Sequence, residues 1–277
     1  MFRKVYVEIT NICNLSCTFC HGTKRAPRTM TPEEFSLVAE RLRGHTRYIY
    51  LHLLGEPLLH PQLPELLRTA EEKGFHSCIT TNGFLLPRMA DALCCAGDLY
   101  RLSVSLHSFE ANSAPVGLTQ YLDGVWDAVC RLAAKGTYCV LRLWNEGGEN
   151  SLNGEIGAYL HAKTGQWQEL RSGSLRIAEN IYLESAQKFD WPDTEADERK
   201  TSFCLGLRDQ IGILCDGTVV PCCLDADGVI ALGNIFDTEL DGILASPRAS
   251  AMYKGFSERR CTEELCRRCG FAERFGI

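Results

Sequence analysis

The chain has 277 residues, 45% of them hydrophobic and 23% charged, and a net charge of −6 at neutral pH. A chain of this size buries roughly 75% of the surface that its unfolded form exposes, so it needs no disulfides to fold, and its fifteen cysteines require another explanation. The acidic balance argues against a protein that coats polymeric nucleic acid, and no apolar run reaches the ~18 residues of a membrane span.

Val5 to Ile9 reads as the first strand, and Met1 to Lys4 with that short run is too brief for a signal peptide. Thr31-Pro32-Glu33-Glu34 opens a helix whose apolar positions are Phe35, Val38 and Leu42. Tyr48 to Leu54 is strand, Leu63 to Lys73 helix stopped by Gly74, His76 to Thr81 strand, and Pro87 to Ala96 helix stopped by Gly97. Leu99 to Leu106, Thr137 to Trp144 and Leu175 to Leu183 complete the strands, with helices over Tyr121 to Lys135 and Leu152 to Lys163 between them. Six βα repeats make an α/β fold with a parallel sheet, either an open barrel or a doubly wound sheet, whose active groups belong at the strands' C-terminal ends.

From Glu184 to Lys200 the pattern fails, with six acidic residues against three basic, so a linker is expected over 184–200 between a domain at 1–183 and another at 201–277. The latter holds seven of the fifteen cysteines and one hairpin, Gln210 to Cys215 and Thr218 to Cys222 around an Asp216-Gly217 turn. The expected compartment is the cytoplasm, where thiols stay reduced and such cysteines serve as metal ligands or small buried hydrophobes. The second role is expected of Cys78, Cys94, Cys95, Cys130 and Cys139.

Directly after the first strand stands Cys13-Asn14-Leu15-Ser16-Cys17-Thr18-Phe19-Cys20, three thiols that one loop wraps around one centre. Zinc wants a fourth ligand, whereas three thiolates on a four-iron cluster leave one iron open to a chelating small molecule. This CxxxCxΦC loop resembles that of the radical S-adenosylmethionine (SAM) superfamily. The resemblance implies a partial (βα)6 barrel over residues 1–183 and a 4Fe–4S cluster on Cys13, Cys17 and Cys20. It also implies reductive cleavage of SAM to a 5′-deoxyadenosyl radical, with electrons from a low-potential donor such as flavodoxin or ferredoxin. Phe19 is the loop's aromatic residue. Leu54-Gly55-Glu56-Pro57 is similar to the family's GGEP motif, with Leu54 in place of the first glycine. Thr80-Thr81-Asn82-Gly83, Ser103, Ser105 and Arg142 match places where the family contacts ribose and carboxylate, and the planar fork of an arginine suits a carboxylate.

The C-terminal part offers Cys204, Gly217-x4-Cys222 and Cys266-x2-Cys269, with Cys215, Cys223 and Cys261 as near misses. A structural zinc fits the spacing. The run also resembles the front of the SPASM extension in its shortened twitch form, which implies one auxiliary 4Fe–4S cluster on Cys204, Cys222, Cys266 and Cys269.

His52, His60, Asn82, His107, Ser108 and Asn145 fall at predicted strand ends; His107, Asp209 and Asp225 are the candidate catalytic groups. Trp144, Phe189 and Trp191 are candidates for stacking on a planar ring. The expected substrate is a small polar molecule. Together the motifs EITNxCNLxCxFC, GEPLLHP, TTNG, SLHSF, RLWN, DGTVVPCCLD and LCxRCG resemble the queuine lyase group, which implies release of a 7-deazapurine base from its nucleoside in queuosine salvage. Three alternatives stand beside it: a twitch dehydrogenase of a cyclitol or sugar alcohol, a peptide-modifying SPASM enzyme, and a non-enzymatic zinc or iron–sulfur protein. No peptide-recognition segment is legible ahead of strand one.

Overall fold

A computed structural model describes residues 1–112, 116–199 and 203–275. The expected boundary at Lys200 and Thr201 lies outside them. In chain order the first part runs β1 (Lys4–Val7), α1 (Pro32–Arg41), β2 (Tyr48–Tyr50), α2 (Leu63–Glu72), β3 (His76–Thr81), α3 (Leu86–Cys94), β4 (Leu99–Ser105), α4 (Leu118–Ala134), β5 (Tyr138–Glu146) and α5 (Asn153–Thr164). Then follow β6 (Gln168–Glu169), β7 (Leu175–Ala178), β8 (Ile181–Gln187), β9 (Gln210–Ile213), β10 (Thr218–Val220), β11 (Gly233–Asn234), α6 (Leu240–Leu244), α7 (Pro247–Ser257) and α8 (Glu264–Arg267).

The strands form one sheet in the order β11-β10-β9-β1-β2-β3-β4-β5-β8-β7-β6. Strands β1 to β5 and β8 are parallel, each crossover carrying a helix and the last carrying β6 and β7 as well as α5; this is the partial barrel. The start of α1 shows how local chemistry sets an element. Thr31 Oγ1 accepts from the Glu34 N–H at 3.2 Å, Glu34 Oε2 accepts from the Thr31 N–H at 2.9 Å, and Pro32 fills the first helical position.

Three expectations change. Leu175 to Leu183 is not one strand: the chain reverses at Asn180, which takes φ = 55°, so β7 and β8 pair antiparallel and only β8 joins β5. The strand expected over Tyr48 to Leu54 ends at Tyr50, because Leu51 to Glu56 turns to form the pocket wall. Strand β8 runs to Gln187, past residue 183. The C-terminal hairpin is present as expected, but β9 also pairs with β1 in parallel over four residue pairs, so the cysteine-rich part extends the barrel's own sheet.

Each barrel strand has two faces. Val5, Val7, Ile49, Ile79, Leu102, Val104, Leu141 and Leu143 join the apolar core under the helices. The alternate positions, on the concave face, are Tyr6, Tyr50, Cys78, Thr80, Arg101, Ser103, Arg142 and Tyr182, a polar lining where a closed barrel carries branched aliphatic layers. Among the described residues, no helix is long and apolar enough to cross a membrane.

Candidate active site

The loop after β1 brings Cys13, Cys17 and Cys20 to the edge of a pocket of about 420 Å³ at the C-terminal ends of the strands. Its wall includes Phe19, Gly55, Glu56, Thr80, Thr81, Asn82, Ser105, Ser108 and Trp191. Cys13 and Cys20 are exposed and Cys17 half-buried, all three as free thiols. Burial pushes Cys17 up to about 11 and Cys13 upward as well, so each alone is a thiol at neutral pH and needs a cation to become a ligand.

Three thiols around an open pocket are the donor set of a site-differentiated iron–sulfur cluster. Among the described residues, no three His, Cys, Asp or Glu side chains converge as a single ion requires. A cube places its irons at separate corners, so its thiolates need not share one point, and the residues fit that group. Asn112 was not singled out from sequence and lies in a loop without a motif. Its Nδ2 donates to Cys17 Sγ at 3.0 Å and its Oδ1 accepts from the Ser16 N–H at 3.0 Å.

Opposite the cysteines, Gly55 takes φ = 73°, and a Cβ there would stand 2.3 Å from the Thr10 carbonyl oxygen. The position therefore demands glycine, while Leu54 replaces its neighbour without strain. Glu56 is a buried carboxylate, pushed up by burial, whose Oε2 accepts from the Asn82 N–H at 2.8 Å and Oε1 from the Leu58 N–H at 3.1 Å. It fixes the Thr81-Asn82-Gly83 turn, and the Asn82 side chain in turn donates to Asn14 in the cysteine loop at 2.9 Å. The 3-10 turn at Pro57 follows directly.

Ser103 and Arg142 stand below this wall rather than on it. Ser103 is buried, and Arg142 Nη1 donates to Thr80 Oγ1 at 3.3 Å with its guanidinium 4.4 Å above the Trp144 ring. His107 lies under Phe19, ring centroids 4.8 Å apart, with Nδ1 against the Arg142 carbonyl oxygen at 3.1 Å. His60 is spent on the Met30 carbonyl oxygen, and Asn145 bridges to Asn153.

A second pocket is lined by Cys204, Cys222, Cys266 and Cys269 together with Asp225 and Phe271. Of the near misses, Cys215 faces Arg25 and Glu8 and Cys223 packs beside Tyr6, whereas the Cys261 thiol lies against Cys266, next to the four, and also bonds to the Glu263 carbonyl oxygen. Both Asp225 oxygens are occupied by the Val229 and Ile230 N–H groups at 2.8 Å, which makes it the anchor of its own loop. Asp209 lies at the opposite end of the sheet, before β9, where it meets Arg3 at 3.6 Å. A catalytic role for Asp209 is corrected on that ground: β9 runs parallel to β1, so its leading residue sits at the end remote from the pocket. Of the supposed buried cysteines, Cys78 and Cys139 are buried, Cys94 and Cys130 half-buried, and Cys95 is exposed.

Trp191 joins the two parts. Its Nε1 donates to the Phe19 carbonyl oxygen at 3.0 Å and its ring stacks on His21, so it closes the pocket as well as packing. Phe189 packs on Phe271 in the second core, and Trp144 lies beside the pocket's neighbour, a cleft shared with Phe19 and Lys188.

Residues 7–151 match the family profile described as "Radical SAM superfamily", and residues 204–270 match "Iron-sulfur cluster-binding domain", SPASM. A curated relative, a probable GTP 3',8-cyclase of Sulfurisphaera tokodaii, is 35% identical over 132 residues, which is 44% of this chain and 42% of the relative, so the alignment spans less than half of either. Among solved structures, BtrN in complex with AdoMet and 2-DOIA aligns over 97% of this chain and 93% of its own, with a TM-score of 0.61 and 17% identity. The AdoMet-bound anSMEcpe aligns over 98% and 90%, at 0.65 and 14%. At such identities the likeness is one of fold: a partial barrel with a twitch or SPASM extension.

Proposed function

Because the chain belongs to the radical SAM superfamily, we propose that it is a dehydrogenase of a small polyhydroxylated substrate such as a cyclitol or sugar alcohol. Membership and the SPASM match bring SAM and two 4Fe–4S clusters, one catalytic and one auxiliary. When bound, the first cluster and SAM supply a 5′-deoxyadenosyl radical that takes hydrogen from a substrate carbon, and the second cluster can receive the electron that the substrate radical gives up.

The chain's residues do the rest. Cys13, Cys17 and Cys20 hold the catalytic cluster, and Cys204, Cys222, Cys266 and Cys269 the auxiliary one. Gly55 gives SAM a backbone surface, and Glu56 holds the Asn82 turn against the cysteine loop. Pro57, Phe19, Thr81, Asn82 and Ser105 complete the cofactor wall, and Trp191 and His107 brace the loop at Phe19, which restricts water at the reacting carbon. Asp225 holds the auxiliary loop's shape and does not carry protons. We assign residues 1–187 and 201–277 as two functional units that share one sheet, with the linker beginning after Gln187 rather than after residue 183.

The observation that carries this reading is the gathering of four thiols in one pocket of a chain already furnished with the SAM-type triad. The near full-length likeness to the structure solved with AdoMet and 2-DOIA supports the dehydrogenase over the nucleoside lyase that the sequence suggested. The test is anaerobic turnover with SAM, dithionite and a panel of cyclitols, sugar alcohols, nucleosides and peptides. A product two hydrogens lighter, formed with 5′-deoxyadenosine from a polyol, is the expected result; a free base from a nucleoside would overturn it.

A further inference from the structure

Five thiols, not four, meet at the auxiliary site. The Cys261 and Cys266 thiols lie against each other, Cys204 is within electrostatic reach of both, and all three pack against the same apolar core. A four-iron cube takes one thiolate per iron, so one of the five is surplus. The other surplus thiols of this part have different surroundings: Cys215 accepts from Arg25 Nη1 at 3.7 Å, and the Cys223 thiol bonds to Tyr6.

The position of Cys261 is built rather than incidental. After α7 the chain turns at Arg259, which takes φ = 58°, a left-handed conformation that side chains other than Asn and Asp rarely adopt. The Arg260 N–H then donates to the Gly255 carbonyl oxygen at 2.7 Å. A Cβ at Gly255 would stand 2.6 Å from the Arg260 carbonyl oxygen and 2.7 Å from Thr262 Cγ2, so a close backbone approach fixes the residues on both sides of Cys261. From there its Sγ reaches the Glu263 carbonyl oxygen at 3.6 Å, at the entry to α8, the single turn that carries Cys266. A cysteine that serves only as a small hydrophobe needs apolar neighbours, whereas this sulfur has a thiol and a carbonyl oxygen against it.

We propose that Cys261 and Cys266 are alternative ligands of one iron of the auxiliary cluster, which therefore exists in two ligation states. This rests on the auxiliary-cluster reading. On exchange one Fe–S bond forms as the other breaks; the incoming thiol releases its proton, the outgoing thiolate takes one up, and no electron moves. Because the two thiols touch, exchange asks for side-chain rotation and leaves the backbone in place. The two states differ in hydrogen bonding and exposure at that iron, and both quantities set a cluster's reduction potential, so exchange tunes the electron acceptor.

The test uses the full chain carrying Cys13→Ala, Cys17→Ala and Cys20→Ala, which keeps the auxiliary cluster alone, and reads iron content and the electron paramagnetic resonance of the anaerobically reconstituted, dithionite-reduced protein. Adding Cys261→Ala or Cys266→Ala is expected to leave about four irons per chain, each variant with its own signal, and the parent spectrum is expected to be the sum of the two. Adding both is expected to cut the iron by about half or more. Cys269→Ala, whose thiol has no surplus thiol against it among the described residues, is expected to lose iron as the double variant does. Exchange is overturned if Cys266→Ala and the double variant are indistinguishable in iron and spectrum, or if the parent shows the Cys261→Ala signal alone. A parent that holds no iron would instead sink the auxiliary-cluster reading.

Discussion

Glu8 and Arg25 meet at 2.6 Å in the interior, the carboxylate fully buried and the guanidinium nearly so. Glu8 lies at the end of β1 and Arg25 five residues beyond Cys20. The same carboxylate accepts from the Cys215 N–H at 3.1 Å, while Arg25 Nε donates to the Ala226 carbonyl oxygen at 2.9 Å. One buried pair thus joins the barrel, the catalytic cysteine loop and the auxiliary hairpin. Breaking it strands a charge: Glu8→Ala is expected to cost about 3–5 kcal/mol, measured as a lowered midpoint in chemical denaturation. Iron bound by both cysteine sets is expected to fall with it. A variant as stable as the wild type would show that the pair is solvated in solution.

Gly55 admits no side chain. Gly55→Ala puts a methyl group against the Thr10 and Asn11 backbone, at 2.3 and 2.9 Å, in a conformation that already disfavours L-residues. A loss of about 2–4 kcal/mol is expected, together with strongly weakened SAM binding. Calorimetric titration with SAM checks the second effect. Normal affinity in the variant would remove the close backbone approach from the cofactor site.

His52 sets a pH slope. Its folded-state value, about 3, lies below the ordinary value of 6.5. Below that ordinary value the unfolded chain takes up a proton that the folded chain refuses. Stability is therefore intact above pH 6.5 and lost as pH falls toward 3. Between pH 6.5 and 5.5 the loss attributable to this ring is about 1 kcal/mol. Denaturation midpoints for wild type and His52→Gln over that interval are expected to diverge accordingly; parallel slopes would mean that the ring protonates within the fold.

Much of this was legible in the chain. The helices and the parallel strands followed from apolar periodicity, Gly stops and the Thr31 capping box, and the two cysteine sets from spacing. What escaped depends on partners distant in sequence. Nothing local says that β9 will pair with β1, or that Asn112 will reach Cys17. The break at Asn180 was hidden by apolar residues on both sides, although Asn is the residue most tolerant of a left-handed turn after Gly. Gly217 was read as a turn former, yet a Cβ there would also strike Asn234 and Phe236, a packing demand visible only in three dimensions. Glu8 did leave a signal: a carboxylate inside the apolar run Val5 to Ile9 needs a buried partner.

The most direct test is iron content of anaerobically reconstituted protein, paired with 5′-deoxyadenosine formation, in the triple variant Cys13→Ala, Cys17→Ala, Cys20→Ala. Two clusters correspond to about eight irons per chain, and the variant is expected to retain about four, on the auxiliary cysteines, with no cleavage of SAM. Eight irons, or undiminished 5′-deoxyadenosine, in the variant would contradict the assignment of these three thiols to the catalytic cluster.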